Sequence, residues 1–162
     1  MGSVKFSEKT LIDCDPEFVF DYTQDYEKRL SWDTFLKKAE LINGAEKAGV
    51  GVRAWCVAHN GLGMETEYVT FNRPKTTAIK MTKGPYLFKS FLGSWVFKGV
   101  GAHQTEVTFL YSFKLRFPFS LAMFVIKKNL QRNVRKRLRD LKSCTEVAIL
   151  TQKNSQPGQP RL

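Results

Sequence analysis

The sequence predicts an α+β fold: a seven-stranded antiparallel sheet wrapped around one long C-terminal helix. Three observations predict it. Strand-like alternation fills most of residues 35–117, the only long amphipathic helix follows it, and a short helical stretch interrupts the pattern just after the first strand. An antiparallel sheet of this length buries one face by curling around something, and the late helix is the element at hand. A sheet curled on one helix encloses an interior, and apolar interiors of this kind take apolar ligands.

The first strand covers roughly Ser3–Ile12, and Asp15-Pro16-Glu17-Phe18-Val19-Phe20 opens the helical stretch. Trp32, just beyond, is expected to close the edge of the fold. Asn43-Gly44 and Asn60-Gly61 mark hairpins, because both residue types tolerate positive φ. Arg73-Pro74, Gly84-Pro85 and Gly99-Val100-Gly101 punctuate the later strands. Met64, Thr66, Tyr68 and Thr70 alternate with Glu65, Glu67, Val69 and Phe71, which leaves the inward face of that strand open. Phe91, Gly93, Trp95 and Phe97 then alternate with small and aliphatic residues. Val107, Phe109, Tyr111, Phe113, Leu115 and Phe117 form a half-buried strand of unusual length. Pro118, suited to a first helical turn, opens a helix that runs to about Ile149.

At 162 residues the chain is long enough to bury about two-thirds of the surface it exposes when unfolded, in a single domain over residues 1–150. Residues 151–162 form a polar, Pro/Gly-bearing stretch expected to be a disordered tail. Thirteen Phe residues supply area without a polar handle, which suits a dense core or an apolar pocket wall. Cys14, Cys56 and Cys144 have no disulfide or zinc-ligand spacing. Met1-Gly2-Ser3-Val4-Lys5-Phe6 has neither an apolar signal region nor the Ser or Thr at position 6 that myristoylation favours. A reduced, cytoplasmic protein is therefore expected, with no metal and no cofactor.

The net charge of +11 is concentrated late in the chain. Residues 1–118 hold 16 Lys/Arg against 13 Asp/Glu, whereas 119–150 hold eight against two. On the predicted helix Leu130, Val134, Leu138 and Leu141 form an apolar stripe, continued by Thr145 and Ala148. Basic residues, among them Lys127, Lys128, Arg132, Arg135, Arg139 and Lys142, occupy the rest of its circumference. That face is either a solvated flank or a contact for an anionic surface. No aromatic residue interleaves Lys127–Lys142, which argues against nucleic acid. Residues 117–126 are almost wholly apolar but too few for a membrane span, which takes about 20. They form either a plug in the sheet's mouth or a lipid-touching lip beside Lys127 and Lys128.

Four stretches in order resemble the START-like (SRPBCC, birch-pollen-allergen-like) superfamily, most closely its polyketide cyclase/dehydrase-type branch. They are Ile12-x-Cys14-Asp15-Pro16-Glu17-x-Val19-Phe20-Asp21-Tyr22 with Asp25 and Trp32, then Gly49-Val50-Gly51-Val52-Arg53 leading to Glu67–Pro74. Phe91-Leu92-Gly93-Ser94-Trp95-Val96-Phe97 with Gln104–Phe113 follows, and the basic helix ends at Leu138-x-x-Leu141-Lys142. The resemblance implies a helix-grip fold with two short helices near the N-terminus. It also implies a cavity for lipids, sterols, quinones or polyketides, and it implies nothing about catalysis.

For the cavity lining the expected residues are Trp55, Tyr68, Phe91, Trp95, Phe97, Phe109, Tyr111, Phe113, Phe124 and Leu130, each of which core packing would explain equally well. Arg53 and Glu67, with Glu65, lie on neighbouring strands. They form either a polar cluster inside the cavity or a cross-strand charge ladder outside it. His59 and His103 fall at turns, and Cys56 reads as inert packing. No nucleophilic triad, phosphate loop or metal-ligand spacing is recognisable. The leading expectation is binding or transport of a small apolar ligand. The alternatives are a cyclase/dehydrase-like enzyme using Arg53 and Glu67, and an interaction module that docks its basic helix on a membrane or RNA surface.

Overall fold

The computed structural model describes residues 2–155. β1 (Val4–Ile12) leads through α1 (Pro16–Gln24) and α2 (Arg29–Trp32) into β2 (Leu36–Leu41) and β3 (Arg53–Ala58). β4 (Gly63–Asn72), β5 (Thr76–Lys83), β6 (Phe88–Gly101) and β7 (Gln104–Leu115) follow. A 3-10 turn at Phe119–Ala122 then enters α3 (Met123–Asn154). Every neighbouring pair is antiparallel, and the strand order is β1-β7-β6-β5-β4-β3-β2. This is the helix-grip architecture: the sheet curls around α3, and α1 and α2 close one end.

The β6–β7 register makes the inner face. Phe91 pairs with Phe113, Gly93 with Tyr111, Trp95 with Phe109 and Phe97 with Val107. The period of two therefore sends every one of these aromatics to the same side. Trp95 stacks on Phe109 at 4.0 Å between centroids, and such cross-strand pairs are the unit of sheet stabilisation. Gly93 makes room within this array, because a Cβ there would sit 3.3 Å from Tyr111 Cε1. From the other side α3 presents Val134, Leu138, Leu141 and Thr145, all buried, as the apolar stripe predicts.

On β4, Met64, Thr66 and Tyr68 point inward, which resolves the open parity. A register shift between Tyr68 and Thr70 then brings Phe71 against Tyr68 and Phe20. Trp32 is fully buried, edge-on to Trp95 at 6.2 Å, on the side of the fold that α2 closes.

Three boundaries differ from expectation. α3 begins at Met123 rather than Pro118, and Ala122 at its N-cap offers no capping side chain. Residues 117–126 are apolar all round, so no single face pulls them into a packed helix. At the other end α3 continues through Asn154, making residues 151–154 helical, while residues 156–162 of the expected tail lie outside the described residues. Asn43 and Gly44 do adopt positive φ (60° and 76°), but within the long 42–52 connection rather than a two-residue hairpin.

Candidate ligand cavity

Between the inner face of the sheet and the first half of α3 lies a cavity of about 320 Å³. Phe88, Phe91, Trp95, Phe109 and Tyr111 wall it from β6 and β7, and Thr77 and Ile79 from β5. β3 and β4 contribute Cys56, Ala58, Met64, Thr66 and Tyr68, while Ile126 and Leu130 close it from α3. The solid core flanks this space. Phe20 packs edge-on against Phe71 and Phe97 on one side, and Phe6, Phe88 and Phe113 interlock on the other.

The end of the cavity beneath α1 and α2 is polar. Arg137, on the inner face of α3, grips Asp33 with Nε and Nη2 (3.1 and 2.8 Å) and donates from Nη1 to the Tyr111 hydroxyl at 2.6 Å. Arg29 Nε donates to the same carboxylate at 2.9 Å. Asp33 is fully buried, and the two arginine side chains are 6–9% exposed. The guanidinium of Arg137 also lies 5.1 Å from the Phe109 ring centroid and 5.3 Å from that of Phe35. Beside this cluster Tyr68 donates to Gln24 Oε1 at 2.8 Å, with the Tyr26 hydroxyl 3.3 Å away.

Protonation states follow from these contacts. Burial would raise the Asp33 carboxyl, but Arg137 and Arg29 outweigh it and hold the group below the usual carboxylate range. Burial raises the hydroxyls of Tyr26, Tyr68 and Tyr111, so all three are neutral at pH 7. It raises the Cys56 thiol as well, despite the nearby arginines. The cavity wall thus carries neutral donors, neutral acceptors and one ionic cluster.

Of the residues expected to line the cavity, Tyr68, Phe91, Trp95, Phe109, Tyr111 and Leu130 do so. Phe97 and Phe113 share the inner face but belong to the solid core beside the space. Trp55 is a correction. On β3, Ala54, Cys56 and Ala58 take the inner face, which turns Trp55 outward, where its ring covers Gly63. Phe124 is a second correction, being 87% exposed.

Arg53 and Glu67 are a third correction, because they share the outer parity of Trp55. Arg53 Nε donates to Glu67 at 3.2 Å and Nη1 to Glu65 at 3.3 Å, while Lys80 meets Glu67 at 3.3 Å. This is the cross-strand charge ladder, and the hydrogen bonds from Arg53 and Lys80 hold Glu67 below the ordinary carboxylate range. Neither histidine lines the cavity: His59 is exposed, and His103 contacts Asp15 at 3.0 Å on the surface.

The Arg29–Asp33–Arg137 cluster is what sequence reasoning missed. One signal was present: Arg137 lies three residues after Val134 and seven after Leu130, on the apolar stripe rather than opposite it. The remaining basic positions behave as a surface. Lys128, Arg132, Arg135 and Arg139 are exposed, and Lys127 is half-buried. Arg135 pairs with Glu8 at 3.0 Å, and Lys142 donates to Leu11 O and Glu146, tying α3 to β1.

At the opposite end of the cavity the segment before α3 and the first turn of α3 project a hydrophobic lip. Phe117, Leu121, Phe124 and Val125 are each at least 72% exposed, and Phe119 meets Tyr86 of the β5–β6 loop edge-on. The chain carries no acidic residue between Glu106 and Asp140, so every charged residue in the lip's own stretch of sequence is basic. Among the described residues no helix is long and apolar enough to cross a membrane, and no cluster of side chains has metal-binding geometry.

A family model described as polyketide cyclase / dehydrase and lipid transport matches residues 3–146. Among solved structures, TTHA0849 from Thermus thermophilus superposes with a TM-score of 0.76 at 20% identity, covering 90% of this chain and 99% of that one. A START superfamily protein from Mycobacterium smegmatis gives 0.73 at 12% identity, with coverage of 89% and 98%. The ZhuI aromatase/cyclase from Streptomyces sp. R1128 gives 0.71 at 13%, with 91% and 96%. Among curated proteins none matches the sequence significantly.

Proposed function

This chain belongs to the polyketide cyclase/dehydrase and lipid transport family of START-like proteins, and from that premise we propose that it binds, and transports, a small and mainly apolar molecule in its internal cavity. The observation that carries the reading is the aromatic wall built by Phe88, Phe91, Trp95, Phe109 and Tyr111 around the cavity. Such walls supply binding area without fixing a reaction, and convergent polar groups at one end fix orientation. Native mass spectrometry of gently purified protein, with denaturing extraction of whatever is bound, tests it. A reproducible apolar adduct is expected, and Leu130→Trp, which fills the space from α3, lowers its occupancy while the thermal transition is kept. A clean apo mass together with no uptake of the neutral probe N-phenyl-1-naphthylamine would reject the reading.

We further propose that the lip makes peripheral contact with an anionic bilayer, where an apolar cargo is collected or released. Phe117, Leu121, Phe124 and Val125 each expose large apolar surface on a stretch of chain free of acidic residues, with Lys127, Lys128 and Arg132 following in the sequence. That pairing of apolar and cationic surface is the interfacial binding pattern. Vesicles containing phosphatidylglycerol should sediment the protein at low salt and release it as salt screens the charges, whereas phosphatidylcholine vesicles should not. Leu121→Asp with Phe124→Asp should abolish co-sedimentation without moving the melting temperature. Unchanged sedimentation of that double variant refutes the contact.

A further inference from the structure

The ionic cluster at the polar end does not balance: two guanidinium groups, Arg29 and Arg137, face one carboxylate, Asp33. Arg137 is fully engaged by Asp33 and Tyr111. Arg29 makes one side-chain hydrogen bond among the described residues, from Nε to Asp33, and it lines the cavity. Its guanidinium rests against the rings of Trp32 and Tyr26, at 4.9 and 5.8 Å from their centroids, and not against a second carboxylate. Beside it Gln24, itself buried, keeps Nε2 without a partner among the described residues.

A buried cation without a matched anion is costly, and the cost disappears when a ligand brings the missing charge. Hydrogen bonds between a guanidinium and an oxyanion are also among the strongest a site can offer. We propose that the cavity selects apolar molecules bearing one oxyanion, with the head seated on Arg29 at the polar end and the apolar body lying along the aromatic wall. The proposal rests on the container reading above and narrows it to a ligand class. Lys127, Lys128 and Arg132 lie outside this end of the cavity and do not serve the head.

A matched pair of probes tests it. N-phenyl-1-naphthylamine is neutral, and 8-anilino-1-naphthalenesulfonate has the same ring framework with one sulfonate added. Wild-type protein is expected to bind the anionic probe about tenfold or more tightly, the scale of one good charge-assisted contact. The preference should persist in high salt, because the seat is buried and screening acts on surface charge. Arg29→Met leaves the Arg137–Asp33 pair intact and electrically balanced, and it should reduce the preference to near parity while neutral-probe binding is kept. Arg139→Met, on the exposed face, should leave the preference as it is.

Equal binding of the two probes by wild-type protein overturns the proposal and leaves the container reading standing. A preference that survives Arg29→Met, or that high salt erases in the wild type, overturns it too. Failure of both probes to bind overturns this proposal, and with a clean apo mass it overturns the container reading as well. Should Arg29→Met not fold, the wild-type preference and its salt response still decide the matter.

Discussion

Asp33 is the single position where a one-atom change should do most damage. Asp33→Asn keeps the shape of the side chain but removes its charge, leaving Arg29 and Arg137 buried with no anion between them. Three charge-assisted contacts of 2.8–3.1 Å are weakened at once. Breaking a buried ion pair from one side typically costs about 3–5 kcal/mol. With a urea slope of about 2 kcal/mol per molar, typical for small domains, the unfolding midpoint should fall by about 2 M. Equilibrium urea titration followed by tryptophan fluorescence reads this directly, since Trp32 and Trp95 sit beside the cluster.

The pH response gives an independent handle on the same residue. The two arginines hold the Asp33 carboxyl below its unfolded value of about 3.9, so its contribution is present above that pH and is lost as pH falls through the folded value. The gap between wild type and Asp33→Asn should therefore be constant near neutrality and narrow below about pH 4. A midpoint shift under about 0.5 M, equivalent to about 1 kcal/mol, or a gap that does not narrow in acid, would refute the reasoning.

Smaller perturbations follow from the same geometry. Tyr111→Phe removes the acceptor 2.6 Å from Arg137 Nη1 and should cost about 1.5–3 kcal/mol in the same titration, because the abandoned donor is charged and buried. Cys14, buried and with its thiol pushed up to about 11 by burial and then by Glu146, should resist a thiol-specific reagent at pH 8 until the protein is unfolded. Arg73→Ala breaks a pair with Asp21 in which both side chains are more than half exposed, and should leave the urea midpoint where it is in the wild type.

The fold was largely legible because its signals are periodic. The alternations of β6 and β7 and the 130–134–138–141 stripe of α3 each demand one buried face, and only the curled sheet supplies both. The cavity wall was legible where long strands keep their parity, as at Phe91, Trp95, Phe109 and Tyr111. It failed at Trp55, where small residues claim the inner face of a short strand and a one-residue choice flips the whole set. The polar end was illegible for a different reason. Arg29 and Asp33 are neighbours on and just after α2, but no local pattern records that Arg137, from α3, shares their buried volume. A basic residue in a basic helix looks like surface unless its place on the apolar stripe is given priority over its charge.

Whether the cluster exists for folding or for ligand can be argued from its energetics. Desolvating two cations and one anion costs several kcal/mol per ion, which their attraction offsets only in good geometry, and well-packed apolar replacements of buried ionic triads are often as stable or more so. A triad kept only for stability would be a poor way to fill space that Leu and Met could fill. The variant Arg29→Met/Asp33→Leu/Arg137→Met removes all three charges together and leaves no unpaired ion. It should therefore unfold at the wild-type urea concentration or higher, by up to about 4 kcal/mol, while still taking up a neutral aromatic probe. Tyr111 then loses its donor, and its unpartnered hydroxyl offsets about 1–3 kcal/mol of that gain. Circular dichroism and urea titration read stability, and probe fluorescence reads the cavity. If the triple variant instead loses its cooperative transition, the triad is what specifies how α2, α3 and β7 fit together, and its place in the cavity wall is a by-product of that role.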